Sequence, residues 1–415
     1  MSRAEAPCEG HGWSPTMTAI ERLYSEGFRV FFLSAGLYAV IAMGVWEAWL
    51  AVQAAGGSLN LPAAPAPHLW HAHEMIFGYS GAALAGFFLT AVPNWTGAKG
   101  APRRYIAAVW SIWLAGRLAV WMSGHISPIA VAATDLAFAP FLGAQILGQL
   151  IRKPKPQQMI FLVLIAAFWI ANLMVHLEWL GRTDTEWAGL RMGLVTLCCM
   201  IMVLGGRVTP GFTRNAMVQS GRETHLPVNS IALAAVSIAA AMALPMTYLV
   251  CLPDHIIGAV AVVAGVAGLI RVALWKGVWT LGKPILWTLH LSYTMNAIGL
   301  LLLGLANLGL GTEIAALHVL GIGAVGGMTL SVMSRASLGH TGRPLIASRR
   351  VALAYALVPL AALTRFLGTA SPGLHDPAVL IAGVLWIAAF ALYLVDLWHV
   401  WWGPRVPRAP VGSPP

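Results

Sequence analysis

The sequence contains few charged residues. Only 10% of its 415 residues are Asp, Glu, Lys or Arg, whereas roughly a quarter of an average soluble domain is charged. Alanine, valine, isoleucine, leucine, methionine, the aromatic residues and cysteine together make up 58%, and the mean hydropathy is +0.75. So few charges cannot cover the surface of a soluble globule, and this class is excluded. Each crossing of a hydrocarbon core ~30 Å thick needs about 20 apolar residues, so the chain is predicted to cross a membrane many times.

Cysteine is also scarce. The four cysteines form no Cys-x-x-Cys pair, and Cys198 and Cys199 are adjacent within an apolar run. This pattern excludes a disulfide framework and a structural zinc site. The first residues lack a basic segment followed by a short apolar stretch and a small-residue cleavage site, so no cleaved signal peptide is expected.

Twelve apolar runs are bounded by proline, glycine or charge. They predict an all-α polytopic membrane protein with about twelve transmembrane helices. The predicted spans are 28–53, 72–94, 105–123, 127–150, 157–180, 187–208, 229–250, 254–276, 285–310, 314–337, 349–367 and 377–401. The corresponding domain organisation is an N-terminal cytoplasmic segment 1–27, a transmembrane domain 28–401 and a disordered, proline-rich cytoplasmic tail 402–415.

The basic residues are distributed asymmetrically. With the twelve spans in place, every lysine and arginine except Arg117, Arg182, Arg191 and Arg365 lies on the side that holds both termini. Cytoplasmic loops are enriched in lysine and arginine, so both termini are predicted to be cytoplasmic. The net charge of +10 is therefore attributed to topology, and no nucleic-acid partner is expected.

Histidines at the outer ends of two spans are candidate haem ligands. His71 and His73 stand at the start of the second span, and a helix starting near Ala72 would direct His73 inward and leave His71 in the loop. His318 lies at a similar depth in the tenth span. Two imidazoles from different helices can hold a haem iron between them, and glycines that follow both histidines would make room for the macrocycle. Those glycines equally suit close packing of membrane helices.

A second polar group is predicted near the cytoplasmic side. His290 and His340 are candidates for a shared polar or metal site, with a hydrogen-bonded interior histidine and a loop histidine as the alternatives. His340 is separated from the level of His318 by about 33 Å of helix, so one haem cannot reach both. The inner ends of the second, sixth and tenth spans carry similar polar sequences, which favours three four-helix units. The polar residues predicted at this inner site are Asn94, Arg207, Arg214, Asn215 and Tyr293, with interfacial anchoring as the alternative.

Charges within the outer halves of spans need partners. Arg117 and Asp135 lie at similar distances from the loop that joins the third and fourth spans, so an intramembrane ion pair is expected. Alternatively, the planar guanidinium of Arg117 would hold a haem propionate. His125, His176, His255 and His375 are predicted to occupy solvated positions at outer helix ends.

Three segments resemble the NnrS family. They are WHAHEMIFGYSGAALAGFFLTAVPNWTG at 70–97, GGRVTPGFTRNAM at 205–217 and LHVLGIGAVGGMTLSVMSRASLGHTGRP at 317–344, and the similarity extends over about residues 20–402. The family comprises bacterial inner-membrane proteins described as containing haem and copper and associated with nitric oxide metabolism. The resemblance makes five histidines candidates for metal binding: His71, His73, His290, His318 and His340.

The helix count also resembles that of haem-copper oxidases and nitric oxide reductases, in which histidines on the second and tenth helices bind haem. His73 and His318 would occupy comparable places. The sixth and seventh spans contain no histidine, so the usual copper site of that superfamily cannot form here. Haem b is the expected cofactor, and copper is a second candidate, without the copper site usual in that superfamily.

These observations favour a haem protein that reduces, senses or scavenges nitric oxide, with His73 and His318 as axial ligands and His71 as a substitute or neighbour. A reductase would be an oxidoreductase with a quinol or a cytochrome as its electron donor. The alternatives are a multi-pass transporter, or a metal or haem delivery protein, that uses the same histidines. Membrane lipid is the expected surrounding in every case.

Overall fold

The computed structural model describes residues 17–370 and 372–407, and these residues are helical with no strands. Within them, eleven helices are long and apolar enough to cross a membrane. Arg103–Trp121 is the twelfth long helix. We number the twelve from α1 to α12 in chain order: Gly27–Ala54, Pro67–Thr96, Arg103–Trp121, Pro128–Arg152, Gln157–Trp179, Glu186–Gln219, Ile231–Leu249, Asp254–Ala273, Pro284–Asn307, Glu313–His340, Arg349–Thr369 and His375–Trp402.

Helix α3 is the one long helix of the twelve that is not among the eleven apolar candidate spans of the described residues. Its 19 residues extend for about 28 Å, close to the thickness of a hydrocarbon core. Arg103 and Arg104 are exposed at its first turn, whereas Arg117 is buried. The arginines therefore lie at the helix end or inside the bundle, which agrees with the sequence prediction of a span here. Residues 1–16 of the predicted N-terminal segment and residues 408–415 of the predicted tail lie outside the described residues.

The helices form a closed ring. Each helix packs against the next one in the chain, and α12 packs against α1. The Arg29 guanidinium on α1 donates to the carbonyl oxygens of Trp401 at 2.9 Å and Gly403 at 2.8 Å. The beginning of α1 and the end of α12 therefore lie at the same end of the bundle, which we call the terminal end. The other end is called the distal end.

Helices α2, α6 and α10 meet inside this ring. They contact one another and are the most buried of the eleven apolar helices. Each of the three contains a π-helical segment: Glu74–Tyr79, Ile201–Gly205 and Val319–Gly326. Such segments leave backbone groups without their α-helical partners and are frequent at functional sites. These are the same three helices whose terminal ends carry similar polar sequences.

A buried arginine satisfies backbone carbonyl groups of α6. In an α-helix the Gly206 carbonyl oxygen would accept from the amide of residue 210, but Pro210 has no N–H. Arg271 of α8 donates to this oxygen at 3.0 Å and to the Met202 carbonyl oxygen at 3.1 Å. A Cβ at Gly206 would lie 2.4 Å from the Arg271 guanidinium. Glycine at 206 therefore allows the close approach that stabilises the π-helical turn.

Candidate functional site

The distal half of the bundle encloses a cavity of about 290 Å³, close to the lower limit of cavities that bind small ligands, roughly 300 Å³. It lies between α1, α2, α6, α10, α11 and α12. Aromatic and aliphatic side chains form most of its wall, and the polar groups converge on it from several helices. We call it the histidine cavity, and its acidic and basic lining residues are Glu47, His68, His71, Arg191, His318 and Arg365.

His71 and His318 both present nitrogen atoms without a protein partner. The His71 ring stacks on Trp46 with a centroid separation of 4.7 Å, and its buried Nδ1 has no hydrogen-bond partner. His318 Nδ1 lies 2.7 Å from the Ile314 carbonyl oxygen. A carbonyl only accepts, so Nδ1 carries the proton and Nε2 retains its lone pair. The two histidines therefore line one cavity from different helices, and each keeps a ring nitrogen without a hydrogen-bond partner.

Glycine provides space beside His318. Gly321 lines the same cavity, and a Cβ built there would have no atom within 4 Å. His318 is the last residue of the α-helical turn and immediately precedes the π-helical segment. The local backbone thus places the imidazole beside an open surface of α10. The residues present fit a flat ligand whose metal accepts imidazole nitrogen.

Arg191 and Arg365 bring positive charge to the distal part of this cavity. Arg191 is paired with Glu313 at 2.5 Å. Arg365 is buried, and its guanidinium donates to Thr369 on the same helix. Among the described residues, no carboxylate lies within ion-pair distance of Arg365. Of the two arginines that line the cavity, Arg365 is therefore the one without an ion pair among the described residues.

His73 lies in a separate, closed network. Its Nδ1 is 2.8 Å from Glu74 Oε1, and its Nε2 is 2.9 Å from Asn172 Oδ1. Asn172 Nδ2 donates to Asp135 at 2.8 Å, which fixes the orientation of the amide. Both ring nitrogens of His73 thus face acceptors, so both carry protons. His73 is fully buried and does not line the histidine cavity.

Charge is balanced within this network. The Arg117 guanidinium donates to Glu74 at 2.7 Å and also to Asp135, so two carboxylates face Arg117 and protonated His73. Tyr38 donates to Glu74, and His176 Nε2 donates to Asp135 at 2.8 Å. We call this set the distal polar network; it joins helices α1 to α5 and comprises Tyr38, His73, Glu74, Arg117, Asp135, Asn172 and His176.

Three members of the network lie close enough together to hold a metal ion. Ligand atoms of His73, Asp135 and His176 are all within 4.8 Å of one another. A metal there would have to displace the proton on His73 Nε2 and compete with Arg117 for Asp135. The hydrogen bonds therefore favour the network over an ion at this position.

The structure pairs Arg117 with Asp135, which confirms the expected ion pair. Both terminal nitrogens of Arg117 contact carboxylates of the protein, and Arg117 does not line the histidine cavity, so this arginine is not placed for a propionate there. The solvated position predicted for His176 is wrong: it is 1% exposed, because Asp135 from α4 reaches its ring. Sequence analysis did not identify Glu74, Asn172 or Tyr38 as partners, although a carboxylate directly after His73 was a signal for an ion pair.

The predicted inner residues are not brought into one site. His290 is buried and bonds to the Thr213 hydroxyl at 2.8 Å, whereas His340 lies against Phe28 and lines a cavity at the terminal end. Tyr293 accepts a hydrogen bond from Arg271 at 3.1 Å. The remaining predicted residues are exposed, and one of them, Asn94, lines the terminal-end cavity: Asn94, Arg207, Arg214 and Asn215.

The fold and the cavity define a polytopic helical membrane protein with a histidine-lined internal site. The chain belongs to the NnrS family, whose family model, described as NnrS protein, matches residues 22–405. A comparison with curated proteins gives no match. Family membership supports a role in nitric oxide-related metabolism.

Proposed function

We propose that this protein binds haem b in the histidine cavity, with His71 and His318 as the iron ligands, and that nitric oxide would bind there in place of one of these two imidazoles. The observation that carries the proposal is the pair of imidazoles with free nitrogens that line one cavity from α2 and α10. A bound haem would supply an iron centre that binds nitric oxide and exchanges electrons. The proposed ligand pair differs from the pair predicted from sequence, because His71 takes the place of His73.

The protein supplies position, charge and exclusion of water. Hydrogen bonding to Ile314 sets the tautomer of His318, and stacking on Trp46 holds the plane of the His71 ring. The mostly apolar wall suits nitric oxide, which is small, uncharged and soluble in lipid. Arg365 supplies a positive charge that complements a propionate.

An absorption spectrum of the purified full-length protein tests the proposal. We expect stoichiometric haem in protein from cells supplied with haem precursor, and a Soret band that shifts when nitric oxide is added to the reduced protein. Iron and copper analysis of the same sample identifies the metal. Purified protein that is folded but lacks haem would contradict the proposal and favour a transporter, which uptake in liposomes would then reveal.

Arg365 gives a second prediction. A hydrogen bond to a charged group contributes about 1.5–3 kcal/mol, so Arg365→Gln is expected to weaken haem binding by about 10- to 100-fold. Haem dimethyl ester has no carboxylate charge, and its affinity should be almost unchanged by the substitution. Spectral titration of the haem-depleted protein measures both affinities. Arg365→Lys, which keeps the charge, is the matched control, and an equal loss for the two ligands would exclude propionate recognition.

A further inference from the structure

Three cavities follow one another along the centre of the bundle. The histidine cavity lies in the distal half, and a cavity of about 720 Å³ lies at the terminal end. A middle cavity of about 70 Å³ lies between α2, α6 and α10. It shares Leu197 and Val325 with the histidine cavity. It shares five apolar side chains with the terminal-end cavity: Phe32, Phe87, Leu204, Val208 and Val332. The side chains shared by neighbouring cavities are therefore all apolar.

The middle cavity offers no hydrogen-bonding group to water. Its lining is aliphatic, aromatic or methionine apart from Gly205 and Thr329. The Thr329 hydroxyl is already bonded to Tyr79 and to the Val325 carbonyl oxygen at 2.7 Å. An enclosed water molecule needs two to four polar partners, and an apolar cavity without them stays dry. Ions and protons therefore have no path through this section of the bundle.

The volume limits the size of an occupant. A space of about 70 Å³ corresponds to roughly five to seven water-sized probes. It is large enough for a diatomic gas or a xenon atom and lies below the ~300 Å³ typical of sites for larger organic ligands. A quinol ring or a lipid chain would not be enclosed by it.

We propose that the middle cavity is a binding site for small uncharged apolar molecules and a passage for them between the terminal-end cavity and the histidine cavity. Leu197 and Val325 form the distal gate, and the shared apolar residues named above form the terminal gate. Rotamer changes of such side chains occur in picoseconds to nanoseconds at exposed positions and more slowly in packed interiors. The passage admits diatomic gases and excludes water, ions and protons.

Xenon binding to the full chain tests the site without reference to haem. Crystals under xenon pressure are expected to show a xenon atom in the middle cavity, near Phe88 and Met328. Ala83→Leu adds three carbon atoms to the lining and should remove that xenon, as should Leu84→Phe at a second position. Ala239→Leu makes the same change at an exposed position of α7 and should leave it. Absence of xenon from the wild-type cavity, or persistence in both filled variants, would overturn the proposal.

Carbon monoxide rebinding tests the passage, and this measurement alone rests on the proposed haem. Carbon monoxide would take the place of one imidazole on the reduced haem, and after flash photolysis of the loaded protein the gas that enters the middle cavity rebinds slowly or escapes. In Ala83→Leu we expect the fast geminate phase to gain amplitude several-fold relative to Ala239→Leu. Xenon binding without this kinetic change would contradict the passage. Folded protein without haem would contradict the haem proposal. The xenon experiment would then still test whether the middle cavity binds small apolar molecules.

Discussion

Replacement of His318 by alanine is expected to lower the haem content of the purified protein by about tenfold or more, and His71→Ala should have a similar effect. Loss of groups that only orient a metal ligand already costs about 10- to 100-fold in metal binding, and these two side chains provide the nitrogens themselves. Haem that remains should change from a six-coordinate to a five-coordinate spectrum. Pyridine haemochrome analysis and electron paramagnetic resonance measure the two effects.

His73 and His255 provide the controls for this experiment. His73→Gln removes an imidazole from the distal polar network and should leave haem content per folded protein at the wild-type level. His255 is exposed at the start of α8, and His255→Ala should change neither content nor spectrum. Free imidazole should restore the six-coordinate spectrum of His318→Gly by filling the vacated space. Haem loss in His73→Gln with normal content in His71→Ala would establish the ligand pair predicted from sequence instead.

The difference between His71 and His73 shows where sequence reasoning succeeded and where it stopped. The sequence pattern predicted His71 in the loop and His73 directed into the bundle, and the two side chains do face different surroundings. The helix begins at Pro67 rather than near Ala72, so His71 is helical and lines the cavity. Proline is favoured at the first position of a helix, and Pro67 was therefore an available signal for the earlier start.

The distal polar network was only partly predictable for a different reason. Arg117 and Asp135 are joined by a short loop, so equal depth was sufficient to pair them. Glu74, Asn172 and His176 come from α2 and α5, and their approach depends on how those helices rotate about their axes. Apolar runs fix the number and length of spans but carry little information on rotation when the helix is apolar on all sides.

Asp135→Asn is expected to destabilise the protein by about 3–5 kcal/mol, because removal of one partner from a buried ion pair leaves the other charge uncompensated. Arg117 and protonated His73 would then share only Glu74. Arg117→Gln should have a comparable cost, since it leaves two carboxylates facing a single imidazolium. The double variant Arg117→Gln with Asp135→Asn restores neutrality. Its loss of unfolding free energy should therefore be smaller than the sum of the two single losses by about 0.5–3 kcal/mol, the coupling found between residues in contact.

Denaturant titration of the full chain in detergent gives the unfolding free energy of each variant and so measures these differences. Arg103→Gln is the matched control, because the Arg103–Glu21 pair has both side chains 47% exposed, and exposed pairs contribute about 0–1 kcal/mol. A cost for Asp135→Asn no greater than that of Arg103→Gln would show that the network does not stabilise the contacts among α1 to α5.

A chelator should leave the unfolding midpoint of the wild-type protein unchanged, because the two cations and two carboxylates balance without a metal ion. A fall in that midpoint on chelation, reversed by one added metal, would instead assign His73, Asp135 and His176 to an ion.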